Sequence, residues 1–145
     1  MRLLIHTDGA ARGNPGPAGA GAVLRDVATG EVVAEIAEPL GWATNNVAEW
    51  TAVRLALEEA RRLGATHVDL RMDSELVARQ INGIYRVKHP DLKPIHAAVM
   101  DMLRSFDGYT VGHVPRELNK DADRLSNVAI DGPPERRRLG GARLE

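Results

Sequence analysis

The fold is decided near the start of the chain by residues 3–9, which read Leu3-Leu4-Ile5-His6-Thr7-Asp8-Gly9. A short apolar run that stops at turn-forming residues is typical of a strand in the interior of a sheet. We therefore expect a buried strand through the middle of the sheet, with Asp8 at its end and a loop after it. A strand of this kind has no structural need for a carboxylate at its end, so Asp8 is the first candidate for a functional residue.

The chain on either side of this strand predicts further strands. Residues 9–21 hold five Gly and two Pro, which argues against a helix or a central strand there. Residues 21–25 and 32–37 predict two strands joined by a turn at Thr29-Gly30. The first three strands should therefore form an antiparallel meander.

Helical periodicity begins after Asn45-Asn46, and Gly64 stops it. One face of this helix carries charges, and the other carries Ala52, Val53, Ala56, Leu57, Ala60 and Leu63. The remaining pattern predicts, in order, a strand at 68–72, a short helix at 74–80, a helix that Asp91 could cap, a strand at 109–114 and a last helix at 119–130.

This order predicts an α/β fold with a five-stranded mixed sheet flanked by helices. Strands 1–3 should be antiparallel, and strands 4 and 5 should return through helical crossovers to lie parallel. The length of 145 residues is typical of one domain. We assign that domain to residues 1–131 and expect residues 132–145, which lack periodicity, to be a flexible C-terminal tail.

Composition excludes several classes of function. The chain has no Cys, so it has no disulfide, thiolate metal site or Cys nucleophile. It has no apolar run long enough to cross a membrane, and its apolar start is too short for a signal peptide, so we expect a cytoplasmic protein. The net charge is −1, so any binding of nucleic acid must rely on local groups and bound cations.

Four acidic residues stand where folding alone does not require them, namely Asp8, Glu49, Asp73 and Asp123. Asp8 and Asp73 both follow predicted strands, and side chains at the carboxyl ends of neighbouring strands converge on one crevice. The alternative is that each only caps a helix or turn. Glu49 lies on the inward face of its helix, where an unpaired carboxylate is costly. The alternative is that Glu49 is solvated and that its negative charge, in the first turn of the helix, interacts favourably with the helix dipole.

Asp123, in the first turn of the last helix, would alone be read as structural, because any acid stabilises that position. Together the four acids predict a site for a hard cation, since gathered carboxylates repel one another unless a cation neutralises them. Oxygen ligands favour Mg²⁺, with Mn²⁺ as a substitute. Two such ions can promote hydrolysis of a phosphodiester.

Four blocks in this order resemble the type 1 ribonuclease H family, in its archaeal-type and actinobacterial branch. They are Thr7-Asp8-Gly9-Ala10-Ala11-Arg12-Gly13-Asn14-Pro15-Gly16-Pro17, Thr44-Asn45-Asn46-Val47-Ala48-Glu49, Met72-Asp73-Ser74-Glu75-Leu76-Val77 and His113-Val114-Pro115-Arg116-Glu117-Leu118-Asn119-Lys120-Asp121-Ala122-Asp123-Arg124-Leu125. The resemblance implies the ribonuclease H-like fold, with Asp8, Glu49, Asp73 and Asp123 as catalytic metal ligands. It also implies that His113 assists proton transfer or product release, although a His in this context is by itself more typical of a plain strand end.

The resemblance further implies a substrate surface. Recognition of RNA requires contact with its 2′-hydroxyl groups, which amides and backbone groups can make. The implied contacts to the RNA strand are Gly9, Ala10, Arg12, Gly13, Asn14, Asn45 and Asn46, and Thr44 is implied to bind a phosphate of the DNA strand. The alternative is ordinary turn and cap chemistry; for Asn45 both readings are kept.

The sequence departs from familiar bacterial members at several positions. Trp42 replaces an Arg near the phosphate pocket, and Glu75 replaces a Gln that contacts RNA. The basic protrusion is missing, and the short segment 82–90 takes its place. Tyr85 and Lys88 in that segment could contact the DNA strand, or they could belong to a solvated connector. The Arg-rich run at 136–138 could attract phosphate weakly or be only a soluble tail.

The expected function is therefore endonucleolytic hydrolysis of the RNA strand of RNA–DNA hybrids with two Mg²⁺ ions, leaving 3′-hydroxyl and 5′-phosphate ends. Two alternatives stay open, namely another nuclease of the superfamily and a hybrid-binding module without catalysis. We expect a monomer without an obligate protein partner.

Overall fold

The computed structural model describes residues 1–132. Its elements are β1 (Arg2–Ala11), β2 (Gly16–Asp26), β3 (Val32–Ala43), α1 (Asn45–Arg62), β4 (His67–Met72), α2 (Glu75–Ile81), α3 (Lys93–Ser105), β5 (Gly108–His113), a 3₁₀ turn (Arg116–Leu118) and α4 (Lys120–Asp131). Residues 133–145, which include most of the predicted tail and its Arg run, lie outside the described residues.

The five strands form one sheet in the order β3-β2-β1-β4-β5. Strand β2 pairs antiparallel with β1 and with β3. Strand β4 pairs parallel with β1 and with β5. The predicted mixed sheet is confirmed, and β1 lies at its centre as its apolar run indicated.

The prediction that residues 9–21 contain no central strand is wrong. Strand β1 continues to Ala11 and β2 already begins at Gly16, so only residues 12–15 connect the two. The glycines of β2 do not form a turn; they allow α4 to pack closely against the sheet. A Cβ atom on Gly19 would lie 2.5 Å from the carbonyl oxygen of Ser126, and one on Gly21 would lie 2.3 Å from that of Ala122.

Two apolar clusters cover the two faces of the sheet. The larger lies under α1, α2 and α3 and includes the fully buried Leu3, Ile5, Trp50, Leu57, Leu70, Met72, Val77 and Leu103. The smaller lies under α4 and consists of Val23, Ala37, Leu125 and Ala129. Every position predicted for the inward face of α1 up to Ala60 is buried, which confirms the periodicity.

The observed helix ends agree only in part with those predicted from the sequence. Gly64, with φ of 82°, lies just beyond α1, as predicted. Helix α3 begins at Lys93, and within residues 1–132 no side chain caps it, so the predicted cap at Asp91 is wrong. The backbone N–H of Asp91 donates to Nδ1 of His89 at 3.1 Å, which places Asp91 in the turn before the helix. Among residues 1–132, no helix is both long and apolar enough to cross a membrane.

Candidate active site

Strand register brings Asp8 and Asp73 together. The parallel pairing of β1 with β4 ends at the pair Thr7 and Met72, so each acid is the next residue along its own strand. Asp8 does not end β1 as predicted, because β1 continues to Ala11 paired with β2 alone. The acid therefore lies where β4 stops and leaves the edge of β1 uncovered.

Glu49 joins these acids because α1 lies directly on β1 at Gly9. A Cβ atom on Gly9 would come within 2.2 Å of the carbonyl carbon of Ala48 and 2.3 Å of the nitrogen of Glu49. Only glycine allows this contact. The backbone N–H of Gly9 also donates a hydrogen bond to the Glu49 carboxylate. Backbone contact thus fixes the helical acid beside the strand.

The three acids form one cluster. One carboxylate oxygen from each of Asp8, Glu49 and Asp73 lies within 4.8 Å of the others. Capping does not explain Asp73, because Ser74 is the N-cap of α2 and its Oγ accepts from the backbone N–H of Val77 at 3.2 Å. Asp8 is only 5% exposed, so a solvated turn does not explain it.

Burial and mutual repulsion strongly raise the pKa values of two of these acids. Burial, followed by the neighbouring charges of Asp73 and Asp123, raises the pKa of Asp8 to about 8. Burial, followed by the charges of Asp8 and Asp73, raises the pKa of Glu49 to about 9. Without a cation, protons therefore remain on this cluster at neutral pH. A divalent cation could displace those protons, and the donor set consists only of the carboxylate oxygens that hard cations prefer.

Asp123 lies beside this cluster in the first turn of α4. Its charge contributes to the raised pKa of Asp8, so the two carboxyl groups are close. The hydroxyl of Ser126 donates to the backbone carbonyl of Asp123 at 2.8 Å and lies 3.4 Å from Oδ2 of Asp8. The structure therefore brings the fourth predicted acid next to Asp8, while the group of carboxylate oxygens within 4.8 Å of one another comes from the other three acids.

Side chains outside the predicted set connect α4 to this region. Nδ2 of Asn119, a buried residue, donates to the backbone carbonyl of Thr7 at 2.9 Å, which fixes the start of α4 beside Asp8. Asn127 donates to both the backbone carbonyl and the carboxylate of Asp123. Sequence reasoning missed both residues, although the spacing of Asn127, one helical turn beyond Asp123, could have indicated it.

The glycine-rich connection after β1 is fastened to the start of α1. Oδ1 of Asn45 accepts from the backbone N–H of Ala11 at 3.0 Å, and Oδ1 of Asn14 accepts from the backbone N–H of Asn45 at 3.0 Å. Thr44 and not Asn45 caps α1, since its Oγ1 accepts from Val47 at 3.2 Å. These bonds leave the amide NH₂ groups of Asn14 and Asn45 available to donate to a ligand.

Most of the predicted substrate residues line one continuous surface. A cavity of about 420 Å³ contains Asn14, Thr44, Asn45 and Asn46, together with Val47, His89 and Leu92. A second cavity of about 520 Å³ shares Asn46, His89 and Leu92 and extends along Gln80, Ile84, Tyr85, Arg86 and Lys88. His89 lies between the two cavities and was missed from the sequence.

Other predicted residues lie apart from this surface. Arg12 is bound to α4, where its guanidinium contacts Asn127 and Asp131. His113 is the last residue of β5, pairs in register with Met72 and is exposed. Glu75, at the position of the expected Gln, is held by Arg79 at 2.7 Å. The same Arg79 lies 5.6 Å from the centre of the Tyr85 ring.

Comparison with known sequences places this site in a family. The model of the reverse transcriptase-like family matches residues 6–129. The chain is 44% identical over 131 residues to a bifunctional protein of Mycobacterium tuberculosis, an alignment that covers 90% of the chain and 36% of that protein. It is 43% identical over 130 residues to ribonuclease HI of Halobacterium salinarum, covering 90% of the chain and 65% of that protein. The chain thus spans about a third of the mycobacterial relative and just under two thirds of the archaeal one.

Solved structures agree with the sequence relatives. RNase H1 from Halobacterium salinarum superposes with a TM-score of 0.88 at 42% identity, covering 92% of this chain and 100% of that one. LC11-RNase H1, in its complex with an RNA/DNA hybrid, superposes with a TM-score of 0.83 at 43% identity, covering 89% of this chain and 96% of that one. The strand order, the acidic cluster and these relatives lead to one assignment. The chain belongs to the type 1 ribonuclease H family.

Proposed function

We propose that this chain hydrolyses the RNA strand of RNA–DNA hybrids and leaves 3′-hydroxyl and 5′-phosphate ends. The observation that carries the proposal is the cluster of Asp8, Glu49 and Asp73, whose ligand atoms lie within 4.8 Å of one another at the centre of the sheet. A fold gains no stability from gathering three carboxylates at one point, because burial and repulsion both oppose it. The arrangement therefore indicates a cation site.

The donor set fits Mg²⁺, and Mn²⁺ would substitute. Asp8, Glu49 and Asp73 would hold the ions, with Asp123 completing the set from α4. When bound, two such ions supply activation of water and stabilisation of the leaving oxygen. The chain itself contributes the rigid placement of the acids, because strand register and the contact of α1 with Gly9 set their positions before any ion binds.

The substrate surface supports an RNA–DNA hybrid as the ligand, and the solved complex of LC11-RNase H1 contains such a hybrid. Backbone and amide groups at Gly9, Ala10, Gly13, Asn14, Asn45 and Asn46 would contact the 2′-hydroxyl groups of the RNA strand. The Thr44 hydroxyl would bind a phosphate of the DNA strand. Tyr85 and Lys88, which line the second cavity, would contact the same strand.

His113 lies at the same end of the sheet as the acids and is exposed to solvent. A residue in that position can exchange protons with bulk water. We assign it the transfer of a proton to or from the reacting groups, or the release of product. A single copy of the chain acting in the cytoplasm is the expected setting.

The test is incubation of the full chain with three labelled substrates, an RNA–DNA hybrid, double-stranded RNA and double-stranded DNA, in Mg²⁺ or in EDTA. We expect cleavage of the RNA strand of the hybrid in Mg²⁺ only, with the stated ends. Equal cleavage of DNA would favour another nuclease of the superfamily. Tight hybrid binding without cleavage in either Mg²⁺ or Mn²⁺ would favour a non-catalytic binding module.

A further inference from the structure

A chain of side-chain hydrogen bonds connects Arg12 to Asp123. Nη2 of Arg12 donates to Oδ1 of Asn127 at 2.7 Å. Nδ2 of Asn127 then donates to the backbone carbonyl of Asp123 at 2.9 Å and to its Oδ1 at 3.3 Å. Asp131 holds the Arg12 guanidinium through both carboxylate oxygens, at 2.8 and 2.7 Å.

The chemistry of these groups fixes the direction of the chain. A guanidinium can only donate hydrogen bonds, so the side chain of Asn127 must turn its oxygen toward Arg12. The NH₂ group of the same amide is then turned toward Asp123, where its two hydrogens meet two oxygens. Arg12 therefore decides which end of the Asn127 amide faces the acid.

We infer that Asn127, oriented by Arg12, is a positioning residue that tethers Oδ1 of Asp123 and leaves Oδ2 free to ligate a cation. The inference rests on the proposed function, because it concerns the same metal site. The contact of α4 with Gly21 at Ala122 places the helix backbone, and Asn127 then sets the orientation of the Asp123 carboxylate on that helix. Asp8 and Asp73 are held by strand register, and Glu49 by the contact of α1 with Gly9.

A purely structural role explains the Arg12 contacts less well than the positioning role does. The side chains of Arg12 and Asp131 are 46% and 59% exposed, and ion pairs with that exposure contribute little to stability. The opposite charges of Arg12 and Asp131 also cancel, so the pair acts on Asp123 through geometry instead of through its field. Its effect should therefore appear in the affinity for the ion.

The experiment is calorimetric titration of Mn²⁺ into the full chain without substrate. Asn127→Ala and Arg12→Ala should each weaken the weaker Mn²⁺ site about 10-fold, the effect typical of losing a partner of a metal ligand. The double variant should lose no more than either single one, because both act through one amide. Asn127→Asp should lose more, since it keeps a partner for Arg12 but presents a carboxylate to Asp123.

Arg25→Ala is the matched control. Its guanidinium also connects a strand to α4, through Asp121 at 3.2 Å, but it does not contact Asp123. That variant should keep the wild-type affinity for Mn²⁺, and circular dichroism on heating should confirm that every variant is folded.

The outcomes separate this inference from the proposed function. If the wild-type chain cleaves the hybrid and Asn127→Ala binds Mn²⁺ with unchanged affinity, the positioning role is overturned and the proposed function is not. Equal losses in Asn127→Ala and Arg25→Ala would also overturn it, because the effect would then belong to α4 packing. A wild-type chain that neither binds Mn²⁺ nor cleaves the hybrid would overturn both.

Discussion

Helices α1 and α4 each bring one acid to the same point of the sheet, but they do so in different ways. Helix α1 rests on Gly9 and carries Glu49 into contact with Asp8 through the backbone. Helix α4 also rests on glycines, Gly19 and Gly21, yet the carboxylate of its acid is held by a half-buried side chain, Asn127. On the proposed function, the comparison predicts unequal roles for the acids, with three positioned by backbone contacts and a fourth oriented by a side chain.

The largest difference should appear between Asp8→Asn and Asp123→Asn. Asp8 lies among the three clustered acids, and loss of metal-based stabilisation worth several kcal/mol corresponds to a rate reduction of about 10³-fold. Asp123→Asn should lose less, because Asp123 lies beside Asp8 and outside the group of three acids whose ligand atoms lie within 4.8 Å of one another. The measurement is kcat on a labelled hybrid at saturating Mg²⁺, with melting curves to confirm folding. Equal losses would contradict the ranking of the acids.

A smaller difference is expected between Gly9→Ala and Gly21→Ala. Both add a Cβ atom against helix backbone, within 2.2 Å at Gly9 and 2.3 Å at Gly21, so each should lower the free energy of unfolding by about 1–3 kcal/mol. At equal loss of stability Gly9→Ala should lose more activity, because it displaces Glu49 from Asp8. Urea unfolding and kcat on the same samples provide the comparison.

Gly112→Ala serves as the control for these two variants. A Cβ atom there would meet only Cδ of Arg71, at 3.8 Å, which is ordinary contact. Its stability should therefore stay close to that of the wild type. A loss as large as that of Gly9→Ala would show that glycine content, and not helix contact, governs the cost.

The last prediction concerns the pH dependence of stability. Asp8 and Glu49 have a higher pKa in the folded protein than the ordinary carboxyl pKa of about 4, so the folded state binds more protons above that pH. The free energy of unfolding of the metal-free chain should therefore fall as pH rises from about 4 through the folded pKa values, which are about 8 and 9. Asp69, whose pKa Arg71 lowers, acts in the opposite sense and only at lower pH.

Thermal melting in EDTA from about pH 4 to about pH 9 measures this dependence. Asp8→Asn should flatten the curve, because one of the two titrating acids is gone. Added Mg²⁺ should raise the melting temperature more at the alkaline end, since the ion binds the deprotonated carboxylates. A metal-free protein that gains stability across this range would contradict the raised pKa values.

Much of this arrangement could be predicted from local patterns. The helical period placed Glu49 on the face that carries Ala52 and Ala56, and that face is buried. The alternation in β4 placed Asp73 at a strand end, where it lies one residue beyond the last β1–β4 pair. Both predictions depend on spacing within one element, which the sequence contains.

Several features that local spacing could not predict depend on distant partners. Glycine in a sequence indicates a turn or a close approach equally well, and only the contact with α4 shows that Gly19 and Gly21 belong to the second kind. Arg12 was predicted to contact substrate, and its role stays a proposal, but its partner Asp131 lies 119 residues further along the chain. Contacts of that range follow from the assembled fold and not from spacing.

The connection at residues 12–15 has a thermodynamic consequence. It carries both Asn14, which faces the proposed RNA surface, and Arg12, which orients the amide beside Asp123. On the proposed function, a shift of these few residues that favours the nucleic acid would also change the position of Asp123, so binding of the hybrid and binding of the ion would be linked. Such linkage is reciprocal. If the bound ion raises the affinity for the hybrid by some factor, the bound hybrid should raise the affinity for the ion by the same factor.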